Sequence, residues 1–183
     1  MSGKYFLQSG LRVLELLVEM DLVSEVLTYR KSRGEEAYAA IINRLDRPVS
    51  GLVLMAKNKK EAARLSLLMQ KGTLCKHYQV LVCGKPDSDE GKLVDNLIKD
   101  AKNNESSVVS KGTAGSKEAR LKYRLLSYDE EADISRLDIH LITGRHHQIR
   151  VQLASRNMPV AGDGKYGGNM AVQAAERIGD GFD

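Results

Sequence analysis

Residues 135–142 read SRLDIHLI, a nearly regular alternation of apolar and polar side chains. Leu137, Ile139 and Leu141 are the regularly spaced apolar members. Because successive side chains of a β-strand point to opposite faces, this spacing places the three apolar side chains together on one face. The pattern predicts a half-exposed strand of an antiparallel sheet.

Further strands are predicted on the N-terminal side of this segment. Residues 120–128 form the preceding strand, which the acidic turn at residues 129–131 joins to the first one. Residues 77–82 form another strand. The continuous apolar run GLVLMA at residues 51–56 predicts a buried strand.

Three segments have the apolar spacing of helices, at residues 21–33, 59–71 and 146–155. Gly34 and Gly72 are expected to end the first two, and Asn58 to cap the second. The combination predicts an α+β fold, with a mainly antiparallel mixed sheet flanked by helices, in a single domain over residues 1–183. The polar residues 100–117 are expected to form a mobile excursion and residues 162–168 a loop, and the tail after Asn169 is weakly specified.

Composition narrows the function classes only slightly. A chain of 183 residues with 42% hydrophobic content can bury a core, and its net charge of +4 with a pI near 9.0 suits a polyanionic partner without requiring one. The apolar run at residues 11–20 is too short and too charged to cross a membrane, and Met1 begins no secretory signal, so we expect a cytoplasmic protein. Cys75 and Cys83 are too far apart along an extended segment to form a disulfide, and we interpret both as buried thiols.

Asp46 lies between Arg44 and Arg47, in a loop before the apolar run. Nearby positive charge favours the ionised carboxylate, which is the form that a nucleophile or a general base requires. A surface aspartate that merely pairs with its neighbours has the same pattern, and this local run alone favours that simpler interpretation.

Arg145 and Arg150 are predicted near the start of a helix, where the helix dipole disfavours cations. Either the two arginines bind an anionic partner, such as a substrate phosphate or an internal carboxylate, or both side chains point into solvent. Tyr78 could stack on a nucleobase or belong to the core. Lys57 could guide a phosphate backbone or be a solvated lysine at a helix start.

The histidines do not form a recognisable metal site. His140, His146 and His147 lack a cysteine or carboxylate ligand at a familiar spacing, and adjacent histidines on a helix diverge by roughly 100°. A metal-dependent hydrolase is therefore a remote alternative, and we expect no metal and no cofactor.

Four motifs together resemble the RluA-type pseudouridine synthases. NRLDRPVSGLVLMAK at residues 43–57 resembles the family's aspartate motif, HRLD followed by SG and a strand ending in AK. KHY at residues 76–78 resembles its Lys-x-Tyr motif, and GRHHQIRV at residues 144–151 resembles GRTHQIRV. GDGKYG at residues 162–167 resembles GDxxYG. The motifs occur in the family's order and cover most of the chain.

The resemblance implies an isomerase that converts uridine to pseudouridine in structured RNA, ribosomal or transfer, without a cofactor. It implies that Asp46 is the catalytic carboxylate, that Arg150 pairs with it and that Tyr78 stacks on the flipped uracil. Arg44 is implied to fill the gap left by the flipped nucleotide, with Arg47, Lys57 and Arg145 as further RNA contacts.

The chain departs from the family pattern in several places. Asn43 stands where the family has histidine, and His146 where it has threonine. We expect no preceding S4-type RNA-binding module, a catalytic domain clipped at both ends, and a monomer. The alternative function is a non-catalytic RNA-binding protein or RNA chaperone that retains the fold.

Overall fold

The computed structural model describes residues 21–45 and 49–178, which fall into two compact units divided between Thr73 and Leu74. The single-domain organisation remains a prediction. No helix in residues 21–45 and 49–178 is long and apolar enough to cross a membrane.

In its described residues, 21–45 and 49–73, the first unit has two helices and a short antiparallel sheet. Helix α1 spans Leu22–Ser32 and helix α2 spans Lys59–Gln70, while β1 (Ala40–Ile41) pairs with β2 (Met55–Ala56). Both predicted helices are thereby confirmed. The Asn58 side chain accepts the Glu61 N–H at 2.8 Å, as the capping prediction required.

The buried strand predicted at residues 51–56 is wrong in length and in burial. Only Met55 and Ala56 are in a strand, and Leu52 is 82% exposed. A continuous apolar run forms a buried strand only where neighbouring strands pair with it and helices or another sheet pack over its faces. Here its described partner, β1, is two residues long.

Over residues 74–178, the second unit has a five-stranded antiparallel sheet and two helices. Its strands are β3 (His77–Cys83), β4 (Glu90–Asp100), β5 (Glu105–Val109), β6 (Lys117–Asp129) and β7 (Ile134–Leu141), in the order β3-β7-β6-β4-β5. Helices α3 and α4 span Gln148–Ala154 and Gly168–Ile178. Every strand pair named here is antiparallel, which confirms the α+β fold with a mainly antiparallel sheet.

The strand predicted from residues 135–142 lies inside this sheet. β7 pairs with β3 on one side and β6 on the other, and Leu137 and Ile139 are fully buried. The main core cluster of the unit consists of Val82, Leu93, Leu121, Leu137, Ile139, Leu141, Leu153 and Met158. The alternation therefore identified the core face correctly.

Two segments for which we predicted no strand or helix each form one in the structure. The expected excursion at residues 100–117 contains β5, which pairs with β4 and buries Ser106. The weakly specified tail forms α4, whose Ala171 and Ala174 pack against Cys83 and Ile134. A polar edge strand and a helix that packs through alanines both lack the apolar periodicity on which the prediction depended.

The two cysteines differ in environment. Both are free thiols, as predicted, but Cys75 is exposed and Cys83 is buried. The prediction of a buried thiol is therefore wrong for Cys75 and confirmed for Cys83. Burial raises the pKa of the Cys83 thiol, which keeps it protonated and unreactive.

Candidate active site

The residues predicted to act in chemistry are spread over both units. Asp46 and Arg47 lie outside the described residues. Arg44 and Lys57 belong to the first unit, whereas Tyr78, Arg145 and Arg150 belong to the second.

Asn43 connects the two described segments that lie on either side of residues 46–48. Its amide Nδ2 donates to the Leu52 carbonyl at 3.0 Å, and its Oδ1 accepts the Leu54 N–H at 2.6 Å. The Asn43 side chain thus takes the place of a neighbouring strand for the backbone of residues 52–54. Asn43, which stands where the family has histidine, therefore has a structural role: it holds the backbone of residues 52–54.

Arg44 and Lys57, the two predicted RNA contacts that the structure describes in the first unit, lie in solvent. Arg44 is exposed. The Lys57 ammonium lies 3.6 Å from Glu35 Oε2, with 73% of the lysine side chain exposed. An exposed ion pair of this kind contributes little to stability, so these two side chains are accessible for other contacts.

Arg150 in helix α3 is held in place by a buried carboxylate. Its Nε donates to Asp163 Oδ2 and its Nη2 to Asp163 Oδ1, both at 2.7 Å. The Arg150 guanidinium also lies over the ring of Tyr166, 4.9 Å from its centroid. A bidentate pair combined with a stacked face fixes both the position and the plane of the guanidinium.

Asp163 is itself fixed by its own loop. Its Oδ1 also accepts the backbone N–H groups of Lys165 and Tyr166, at 3.1 and 3.3 Å. Burial alone raises the pKa of the Asp163 carboxyl, but the hydrogen bonds and charge of Arg150, with the two N–H groups, outweigh burial and lower it below 3.8. The side chain is therefore a buried anion in a loop to which the sequence assigned turn geometry only.

The lowered pKa of Asp163 predicts a pH-dependent contribution to stability. The stabilisation by the ionised carboxylate is present above its unfolded pKa, near 3.8, and is lost as pH falls through the lower folded pKa. We expect Asp163→Asn to be less stable than wild type at about pH 6, with the difference shrinking below about pH 4. Urea unfolding over this pH range measures the difference. A free-energy gap that stays constant down to about pH 2 would contradict this expectation.

The adjacent histidines contact the β4–β5 hairpin and the loop before α4. His146 pairs through Nδ1 with Ser106 Oγ at 2.9 Å and through Nε2 with Asn104 Oδ1 at 3.1 Å. His147 Nδ1 pairs at 2.8 Å with the Tyr166 hydroxyl, which also accepts the Ser106 N–H at 2.9 Å. These contacts fasten the start of α3 to the hairpin.

The histidine contacts give no support to a metal site. In the described parts of the chain, no group of three or more His, Cys, Asp or Glu side chains converges as metal ligands would. His140 stacks on His77 instead, with ring centroids 4.8 Å apart. The expected lack of a metal and of a cofactor remains a prediction.

Gln148 holds the turn that precedes α3. Its Oε1 accepts from Thr143 Oγ1 at 2.8 Å and from the Arg145 N–H at 3.0 Å. Its Nε2 donates to the Arg120 carbonyl at 3.1 Å and to Gln152 Oε1 at 3.0 Å. All four hydrogen-bonding positions of a side chain that is 2% exposed are therefore occupied.

Replacing Gln148 by Leu should destabilise the second unit by about 2–4 kcal/mol, because buried polar partners lose their hydrogen bonds. Denaturant unfolding measures this loss. The matched control is Gln79→Leu, at an exposed position of β3 in the same sheet, which should change the unfolding free energy by less than about 0.5 kcal/mol. Equal effects of the two variants would show that the Gln148 network contributes nothing specific.

The remaining predicted residues of the second unit have mixed environments. Tyr78 on β3 is half-buried and packs against the main core cluster, opposite Ile139. Arg145 is exposed, and its Nε donates to the Glu118 carbonyl at 2.9 Å. The roles of both residues toward RNA remain predictions.

The structure adds residues that sequence reasoning did not assign to the site. Asp163 and Tyr166 surround Arg150, and Gln148 supports its helix. The GDxxYG resemblance included Asp163 and Tyr166, but it carried no information about what either side chain contacts. Only the hydrogen bonds from Arg150 to Asp163 and the stacking of Arg150 on Tyr166 show that both residues belong to the candidate site.

Comparison with known proteins assigns the chain to a family. A family model described as RNA pseudouridylate synthase matches residues 9–155, which is most of the chain. The chain belongs to this family. The match includes Asp46, Tyr78 and Arg150, whereas Asp163 and Tyr166 lie beyond its end.

Individual relatives agree with the family assignment. The chain is 37% identical over 135 residues to a protein of Chloroflexus aurantiacus named uncharacterized RNA pseudouridine synthase, a match that covers 73% of this chain and 40% of that protein. It is 34% identical over 148 residues to ribosomal large subunit pseudouridine synthase D of Nitrosomonas europaea, covering 80% and 41%. The chain thus spans less than half the length of these curated relatives, and the resemblance to RluA-type pseudouridine synthases is confirmed at the level of the family.

A solved structure supports the fold. Human RNA pseudouridylate synthase domain containing 4 matches with a TM-score of 0.67 at 22% identity, covering 79% of this chain and 59% of that one. At this identity the likeness bears on the fold alone. It agrees with the α+β architecture of a pseudouridine synthase domain.

Proposed function

We propose that this pseudouridine synthase chain isomerises specific uridines in structured RNA, ribosomal or transfer, to pseudouridine. The observation that carries the proposal is the clamped guanidinium of Arg150, held by Asp163 and Tyr166 within a chain that the family model matches over residues 9–155. A preorganised cation of this kind suits a catalytic carboxylate, which it can orient and keep ionised.

In the proposed reaction the uracil is detached from its ribose, turned and rejoined through carbon, so that substrate and product have the same atoms. Asp46 is the carboxylate that acts on the nucleotide, and Arg150 pairs with it. Tyr78 stacks on the flipped base. No cofactor or metal takes part.

RNA binding is proposed to rest on the exposed cations. Arg44 fills the gap that the flipped nucleotide leaves in the RNA stack, which offsets part of an unstacking cost of a few kcal/mol. Arg47, Lys57 and Arg145 contact phosphates and position the RNA without reading its sequence. We further propose that the protein acts as a monomer in the cytoplasm.

The test is carbodiimide mapping of pseudouridines in RNA from cells with and without the gene. We expect at least one uridine of ribosomal or transfer RNA to lose its modification in the deletion strain and to regain it when this chain is expressed. A plasmid carrying Asp46→Asn serves as the control and should restore nothing. If the two RNA populations have identical maps, the chain is instead an RNA-binding protein that retains the fold.

A further inference from the structure

Asp163 is a buried anion that the proposed reaction does not use. Its side chain is 5% exposed, yet it lies in a glycine-rich loop between α3 and α4 rather than in a strand or a helix. A buried carboxylate is costly unless its charge is paired and its oxygens accept hydrogen bonds. Arg150 and the two loop N–H groups meet that requirement.

The geometry of the pair is directional. Asp163 occupies the edge of the Arg150 guanidinium formed by Nε and Nη2, and the Tyr166 ring covers one face. A guanidinium is a planar fork, so two hydrogen bonds on one edge and a ring on one face determine where the Nη1 side points. The orientation of Arg150 is therefore set by the loop and not by α3 alone.

We propose that Asp163 is a positioning residue of the pseudouridine synthase: it fixes the edge that Arg150 presents to the catalytic carboxylate. The inference rests on the proposed function, in which Arg150 pairs with Asp46. Asp163 contacts neither substrate nor reacting atoms, and it acts through Arg150. Tyr166 assists by supporting the guanidinium plane, and the Tyr166 ring is itself held by Ser106 and His147.

The same unit contains a matched pair that serves as a control. Asp95 accepts from Arg156 Nη1 at 3.0 Å and from Arg156 Nη2 at 3.1 Å, and also from Gln152 at 2.6 Å. This carboxylate is 13% exposed in its side chain, and it also pairs with an arginine from the region of α3. Asp95→Asn removes a comparable ion pair that has no part in the proposed reaction.

The experiment compares Asp163→Asn with Asp95→Asn in the full chain, with a transcript that carries the uridine identified by carbodiimide mapping. The asparagine at position 163 keeps an oxygen for the loop N–H groups but loses the charge and one acceptor for Arg150. We expect kcat for pseudouridine formation to fall by about 10- to 100-fold, with KM for the transcript changed less than about threefold. Asp95→Asn should keep kcat within about threefold of wild type.

A double-mutant cycle separates positioning from general stability. If Asp163 acts through Arg150, adding Asp163→Asn to Arg150→Lys should lower kcat by no more than about twofold further. Losses that multiply in the double variant would overturn the proposal. So would an unchanged kcat in Asp163→Asn, or a failure of Asp163→Asn to fold under conditions in which Asp95→Asn folds.

A second readout does not depend on activity. The Nε–H proton of Arg150, identified by its loss in Arg150→Lys, should exchange slowly with water in wild type and in Asp95→Asn, and at least about tenfold faster in Asp163→Asn. An unchanged exchange rate of the Arg150 Nε–H in Asp163→Asn would contradict the positioning role. A wild-type chain that forms no pseudouridine contradicts the proposed function, and the exchange measurement then still decides whether Asp163 holds Arg150.

Discussion

Asp46→Asn should lower pseudouridine formation by about 10³-fold or more, to the limit of detection. An amide cannot ionise, so it can act neither as a nucleophile nor as a base at this position. Single-turnover assays with excess enzyme measure the chemical step directly, and they are free of any change in product release.

RNA binding should survive the Asp46→Asn change. The proposed contacts to phosphate come from cations, and removing one negative charge near them leaves the affinity unchanged or slightly higher. A filter-binding titration at fixed salt measures this. The matched control is Asp87→Asn, at an exposed loop position of the second unit, which should leave both rate and affinity unchanged. Wild-type turnover by Asp46→Asn would remove Asp46 from the mechanism.

Arg150→Lys should lower kcat by about 100-fold even though the positive charge remains. Lysine is a point charge without a planar fork, so it cannot reproduce the two 2.7 Å hydrogen bonds to Asp163 or the stacking on Tyr166. The ammonium can then take several positions, and the carboxylate that is proposed to pair with Arg150 loses an oriented partner. The measurement is kcat and KM on the mapped transcript, with KM expected to change little.

The matched control for this variant is Arg156→Lys, which weakens the Asp95 pair at the end of α3. It should lower the unfolding free energy but keep kcat within about threefold of wild type. If Arg150→Lys turns over as fast as Arg156→Lys, the orientation of Arg150 has no bearing on the reaction. A uniform rise in KM for both variants would instead point to a loss of RNA affinity.

Much of the candidate site follows from short motifs whose residues are close in sequence. The loop with Asp46 and the helix with Arg150 were both predicted from sequence, and the family match contains both. The loop with Asp163 was expected to provide turn geometry alone. Asp163 follows Arg150 by 13 residues and lies in the loop after α3. Spacing rules within a helix connect residues only three or four positions apart, so they do not link the two.

The errors in the fold have a common physical origin. β5 has polar residues because it is one of the two edge strands of its sheet in the described residues, and α4 packs through small alanines. The run at residues 51–56 is apolar without being buried, since Leu52 is 82% exposed. In each case the environment that decides the structure comes from other parts of the chain.

By itself the sequence determined the strand predicted at residues 135–142, which spans Ile134–Leu141 in the structure, because a period-two alternation can bury only one face of a sheet. It also determined α1 and α2, whose capping residues act within one turn. Tertiary structure alone decided that Arg150 is clamped by Asp163 and Tyr166. A bidentate hydrogen bond depends on angles and on distances of about 3 Å between side chains, and these exist only once helix and loop have packed.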